Sequence, residues 1–163
     1  MVSLLPELTA HQAARTPGAT AVIDGAGRVT YAALDARTNR LAHLLRDSGV
    51  GIGSLVGVCL PRSPDLVAAL LAVWRAGGAY VPLDPDQPPD RLRWMLADTG
   101  AQVVLTTTTV ADRLPDTGAR ALCLDQLEGA LRAAPTSPPR AVLIRIALDF
   151  ILRNSRAPNR LLV

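Results

Sequence analysis

Lysine is missing altogether: all 17 basic side chains among the 163 residues are arginine. Loops that cradle phosphate groups commonly add a Lys charge to their backbone N–H groups, so a site of that form lacks its usual cation. Charge of either sign is nowhere concentrated. The formal net charge is +3, and the arginines are scattered among Asp and Glu, which excludes the basic face that tracks a nucleic-acid backbone. Aromatic residues are 3% of the chain, against 49% apolar residues in all. The apolar excess is therefore Ala, Leu and Val, side chains suited to packing between helices and a sheet. Cysteine is limited to Cys59 and Cys123. Each sits in an apolar run, LVGVCL and ARALCL, without a CxxC partner or a nearby His, and reads as a reduced core thiol. No apolar run approaches the ~20 residues of a membrane span, and MVSLLPELTAHQAA has neither the basic and apolar regions nor the cleavage site of an export signal. A cytoplasmic protein with no membrane or nucleic-acid partner is the expectation.

What is present fits one compact unit, since a domain takes about 100 to 200 residues. Helical spacing runs from Glu7 to Arg15 after Pro6, and Thr16-Pro17-Gly18 stops it. ATAVID and RVTY flank Gly25-Ala26-Gly27, the pattern of a tight hairpin. From Tyr31 to Ser48, Leu34, Thr38, Leu41, Leu44 and Leu45 share one stripe, and Gly49 closes the helix. Beyond Leu55 short apolar runs alternate with amphipathic helices: LVGVCL, then Pro64 to Ala76, AYVPL, Pro89 to Asp98, and AQVVLT. That alternation predicts βαβ units and a parallel sheet. Gly77, Gly78 and Gly100 stand where helices must turn back into strands. A further strand is expected at Arg120 to Leu124 and a short helix at Asp125 to Leu131, before the Pro-rich loop Ala133 to Arg140.

Two stretches carry a family resemblance. VTYAAL, Val29 to Leu34, leading into DARTNRLAHLLRDSGV, resembles the first core motif, L-T/S-Y-x-E-L, of adenylation domains from nonribosomal peptide synthetases, with Ala33 where the family has Glu. LAVWRAGGAYVPLD, Leu71 to Asp84, resembles the second, L-K-A-G-x-A-Y-V-P-L-D, with Arg75 in place of Lys. The likeness runs from about Leu4 to about Leu131. It implies an α/β fold, the N-terminal part of the adenylate-forming enzyme fold: a partial parallel sheet with flanking helices and an N-terminal hairpin. Acyl-CoA synthetases and luciferase-like enzymes share that fold. In intact members an amino-acid carboxylate attacks the α-phosphate of ATP, giving an aminoacyl adenylate and pyrophosphate. The thiol of a carrier-domain phosphopantetheine then takes the acyl group. The resemblance thus implies ATP and Mg²⁺ for the intact family, with the amino acid, a carrier domain and a condensation domain as partners. The family holds ATP on Y-T-S-G-S/T-T-G-x-P-K-G, and nothing of that form occurs here. No cofactor is therefore expected for this chain alone.

No residue is singled out as catalytic, cofactor-binding or metal-ligating. Asp84 is the one carboxylate of AGGAYVPLD within reach of a ligand, and it reads first as a loop Asp capping the helix that begins near Pro88 or Pro89. His11 and His43 have no partners at ligand spacing. Asp86, Asp90 and Asp98 read as a helix N-terminal charge, a cap and a solvated face. Thr106 to Thr109 form a run of hydroxyls without glycine or Lys, so a polar strand-to-helix turn is expected rather than a phosphate site.

The chain divides into residues 1–131, a truncated N-terminal part of the domain, and 132–163, a Pro-rich loop with an atypical tail. In that tail VLIRIALDFIL and RNSRAPNRLLV show no clear period. Shifting LDFILRNSRAPNRLL by one nucleotide permits W-T-S-Y-S-G-T-P-G-R-P-T-G, close to the phosphate loop but without its Lys, so a frameshift at Leu131 or later is one reading. A sheet cut short would leave an open edge and an uncovered apolar face, and poor solubility follows. Two alternatives are a non-catalytic module that docks on a synthetase, and a flavodoxin-like nucleotide binder, against which the lack of GxGxxG or a P-loop after Leu55 to Leu60 counts.

Overall fold

The computed structural model describes residues 5–25 and 27–139. The expected turn residue Ala26, the last loop residue Arg140 and the tail from Ala141 onward lie outside them. An N-terminal helix α1 (Leu5–Arg15) leads to an antiparallel hairpin, β1 (Thr20–Asp24) and β2 (Gly27–Thr30), and then to the long helix α2 (Tyr31–Asp47). Next come β3 (Leu55–Val58), α3 (Pro64–Ala76), β4 (Ala79–Pro82), α4 (Pro89–Thr99), β5 (Val103–Thr106), α5 (Thr108–Ala111), β6 (Arg120–Cys123) and α6 (Glu128–Ala133).

The four later strands form one parallel sheet in the order β4-β3-β5-β6. That order follows from the hand of the crossovers. β3 steps outward to β4 through α3, and the chain then returns across β3 to β5 through α4. Right-handed connections running in opposite directions must place their helices on opposite faces. The core obeys this. On one face Leu41 and Leu45 of α2, Ala69, Ala72 and Val73 of α3, and Leu131 of α6 pack on Val56, Val58, Val103, Leu105 and Leu122. On the other, Leu92 and Leu96 of α4 and Val110 of α5 pack on Val104 and Cys59. β5 is buried at all four positions, as a central parallel strand covered on both faces should be.

Both faces of the sheet are thus covered, contrary to the uncovered apolar face expected of a shortened sheet. Three helices on one side and two on the other reach across four strands. The open edges are retained: among the described residues β4 and β6 each pair on one side only. The hairpin adds a smaller cluster, with Ala21, Val22 and Val29 against Leu34, Ala68 and Leu71. It lies on the outside of α2 and α3.

Helix ends follow their local chemistry. Thr30 caps α2, its side chain accepting the Ala33 N–H at 3.2 Å, and Ser63 caps α3 by accepting from the Leu66 N–H at 3.3 Å. α6 begins at Glu128 rather than at Asp125. The reason is that the Asp125 carboxylate accepts the Thr108 N–H, at 3.0 and 3.1 Å, and caps α5 instead of its own helix.

Candidate functional site

The strands of a parallel sheet present their carboxyl ends to one rim, and ligands of open α/β sheets sit where neighbouring strands lead away in opposite directions. Here that place lies between β3, which leads to β4, and β5, which leads to β6. The candidate site is accordingly the loop after β4 with Asp84 and Asp86, the run Thr106 to Thr109 after β5, and Asp125 after β6.

The second core motif builds the first of these loops. α3 ends at Gly77, whose φ of 96° is left-handed and therefore suits glycine. The Gly77 N–H bonds the Trp74 carbonyl at 3.0 Å and the Gly78 N–H bonds that of Val73 at 3.0 Å, closing the helix. Gly78 has a different reason: a Cβ there would stand 3.1 Å from the Ser54 carbonyl oxygen and 3.1 Å from Val50. The chain then pairs as β4, with the Trp74 and Tyr80 rings 5.2 Å apart at 47°.

Asp84 is not the cap expected of it. Its Oδ1 accepts the Asp86 N–H at 3.0 Å and its carbonyl accepts from Gln87 at 3.0 Å, an Asx turn closed on itself. α4 starts after Pro88 with no side-chain cap. Asp90 is likewise no cap: it lies inside the first turn of α4, paired with Arg93 at 2.7 Å. Arg113 ties the loop down, donating to the Pro85 carbonyl at 2.7 Å and standing 3.9 Å from Asp86. Asp98 is exposed on α4, as its reading requires.

The Thr106 to Thr109 run is the expected strand-to-helix turn. Thr106 is fully buried at the end of β5. The N–H of Thr108, where a phosphate would need a donor, is already taken by the Asp125 carboxylate. The hydrogen bond from the Thr108 side chain holds the Asp125 carboxyl below its ordinary range, with backbone N–H groups adding to it. A carboxylate at that position repels a second anion. The rim therefore carries Asp84, Asp86 and Asp125, with Arg113 engaged on the Asp84 loop.

Neither cysteine is poised for chemistry. Burial, with the Asp84 charge adding to it, pushes the Cys59 thiol up to about 11. Burial also raises Cys123, helped by the Asp125 charge and opposed by a hydrogen bond from Thr108. Nucleophilic thiols need the opposite shift. Among the described residues no group of three His, Cys, Asp or Glu is placed to hold a metal ion. A shallow depression beside α1 is lined in part by Thr9, Tyr31, Thr38 and Leu71. It encloses no space for a small molecule, whose sites begin at ~300 Å³.

Sequence reasoning missed the most developed polar cluster. The Arg75 guanidinium, 8% exposed, joins Asp35 and Asn39 of α2 to the Pro6 carbonyl of α1. His43, unpaired by sequence spacing, stands with Nε2 3.0 Å from the Ser137 carbonyl oxygen. In both places a backbone carbonyl is a partner, and carbonyls leave no mark in a sequence. The Arg-for-Lys exchange at residue 75 was the available signal.

No helix among the described residues is long and apolar enough to cross a membrane. The family described as AMP-binding enzyme matches residues 9–154. Chondramide synthase cmdD of Chondromyces crocatus is 50% identical over 148 residues, covering 89% of this chain and 4% of that protein. A linear gramicidin synthase of Brevibacillus parabrevis is 43% identical over 152 residues, 93% of this chain and 3% of that one. The crystal structure of the nonribosomal peptide synthetase FmoA3, in its alpha-methyl-L-serine-AMP bound form, superposes with a TM-score of 0.77 at 37% identity. That match covers 86% of this chain and 16% of the other. The chain thus spans a small part of each relative. It belongs to the AMP-binding enzyme family, as the N-terminal part of an adenylation domain of the nonribosomal peptide synthetase kind.

Proposed function

We propose that these residues are the opening scaffold of an enzyme that activates an amino acid with ATP and passes it to a carrier domain, and that the 163-residue chain does not catalyse this alone. The observation carrying the reading is the second core motif. Leu71 to Asp84 lies in the fold as helix end, glycine turn, edge strand and Asx loop, at the rim where such sheets take ligands.

The residues present do not fit the triphosphate. There is no Lys in the sequence, and Asp125 occupies the donor at the start of α5. No step of the reaction is therefore assigned to these side chains, and their part is to hold the sheet on which later residues of an intact domain would be mounted. Amino acid, carrier domain with its phosphopantetheine, and condensation domain are the partners of that intact enzyme. A peptide natural product and the cytoplasm complete the proposal.

A change of reading frame at Leu131 or later, placed in the tail that follows the Pro-rich loop, belongs to the same proposal. Resequencing the gene and its downstream region tests this: a frame restored by one base should run into a phosphate loop. An uninterrupted present frame, with no such loop in either other frame, rejects the frame change. The catalytic half is tested by ATP–pyrophosphate exchange on the pure chain with a panel of amino acids. Background exchange throughout is expected, and exchange clearly above an enzyme-free control overturns it.

A further inference from the structure

The Arg75 cluster orients a polar group that reaches beyond the helices. Arg75 Nη1 donates to Asn39 Oδ1 at 2.6 Å, and Nη2 donates to Asp35 Oδ1 at 2.6 Å and to the Pro6 carbonyl at 3.3 Å. A guanidinium has donors only, so the Asn39 amide must turn its oxygen toward Arg75. Its NH₂ group then faces the other way, where it donates to Asp35 Oδ2 at 3.1 Å and to the Thr136 carbonyl at 2.7 Å. One turn along α2, His43 Nε2 meets the Ser137 carbonyl at 3.0 Å. A carbonyl only accepts, so Nε2 carries the proton there. Asn39 itself is 1% exposed.

The segment these side chains grip is the Pro-rich stretch Ala134 to Pro139, which follows α6 and which the sequence marks only as loop. It is a strap laid along α2, with Pro139 buried at its end. Pro135, Pro138 and Pro139 supply no N–H and fix φ, so the strap is stiff and is tied through its carbonyls. Two of those carbonyls are the ones held by Asn39 and His43.

We propose that Arg75 and Asn39 are positioning residues: by locking the Asn39 amide, Arg75 fixes the strap on α2 and so sets where the chain enters the remainder of the domain. This rests on the adenylation reading, in which the phosphate loop of an intact domain comes after such a strap. Arg suits the task better than Lys. Two separate nitrogens of one planar fork reach Asn39 and Asp35, whereas an ammonium is a single point.

The test is backbone nitrogen-15 relaxation on the full chain, read as order parameters at Thr136 and Ser137 and compared with β3 and β5. Asn39→Leu keeps the volume but removes the donor to the Thr136 carbonyl, without adding a charge beside Asp35. It should lower the order parameters of the two strap residues toward the flexible range below about 0.6, with the sheet staying near about 0.85. Arg75→Met, which touches no strap atom, should do the same, and Arg75→Lys should retain part of the order. If Arg75→Met loosens α2 and α3 evenly with no added effect at Thr136 and Ser137, or if Asn39→Leu leaves the strap as rigid as the sheet, the positioning role is wrong. No ATP or amino acid enters this measurement, so its failure leaves the family reading intact. Pyrophosphate exchange by the chain would overturn its proposed inactivity without touching the strap result.

Discussion

Arg37 reaches carboxylates on two other elements, Asp65 at the start of α3, at 2.5 and 3.2 Å, and Glu128 at the start of α6, at 2.6 Å. Its hydrogen bond holds the Glu128 carboxyl below the ordinary 4.5, with burial opposing and the Arg37 charge assisting. A carboxyl depressed in the folded state stabilises the fold above its unfolded value and loses that contribution as pH falls through the folded one. Glu128 is 44% exposed, so solvent screening limits its share to about 0.5 kcal/mol. Arg37→Met should therefore lower the unfolding free energy by about 1 kcal/mol at about pH 6, both carboxylates included. The Glu128 part of that gap should shrink as the pH falls below the ordinary carboxylate range, where its protonated carboxyl no longer pairs with Arg37. Urea midpoints at several pH values check this, and a gap that stays constant with pH would assign the effect to packing of the Arg37 stem instead.

At the scale of elements, α2 shows both what the sequence makes legible and what it hides. Its stripe of Leu34, Thr38, Leu41 and Leu45 is buried as the spacing requires, because helical period and apolar surface are local properties. The strands of the parallel sheet are legible for the same reason, with ends differing by one or two residues. Its first turn holds no acidic residue, and Ala33 stands at the third helical position, where a Glu would complete a capping box with Thr30. Thr30→Ala should cost about 1 kcal/mol, and Ala33→Glu should add about 0.5 kcal/mol by meeting the positive end of the helix. Thermal unfolding of the two variants decides: equal melting temperatures would mean that packing alone fixes this helix end. The strap on α2, the Asx turn at Asp84 and the capping of α5 by Asp125 were not legible. The strap and the α5 cap depend on backbone groups brought close by the fold, at separations that reach 97 residues between Asn39 and Thr136, whereas at Asp84 two local roles compete and the Asp86 N–H takes the carboxylate before the helix can. Local pattern does not encode such meetings.

For the described residues as a whole the sheet leaves unpaired backbone at its two edges, since helices cover both faces. β6 is the edge whose polarity can be worked out. The Arg120 N–H bonds the Gln102 carbonyl at 2.8 Å and the Leu124 N–H bonds that of Thr106 at 2.9 Å. In a parallel ladder, residues two apart point their N–H groups the same way, so those of Ala121 and Cys123 face outward. Outward N–H groups beside an apolar, weakly charged strand are a template for a second chain. The edge at β4 is blunter, because it ends in Pro82. Self-association should therefore run through β6, and Ala121→Pro should suppress it by removing an outward donor without breaking a bond to β5. Ala121 is exposed, so the ring has room, and the constraint on φ should cost no more than about 1 kcal/mol. Light scattering against concentration, with circular dichroism to confirm the fold, measures both quantities. A variant that folds normally and associates as readily as the parent chain would place the contact elsewhere, the exposed Trp94 of α4 being the next surface to change.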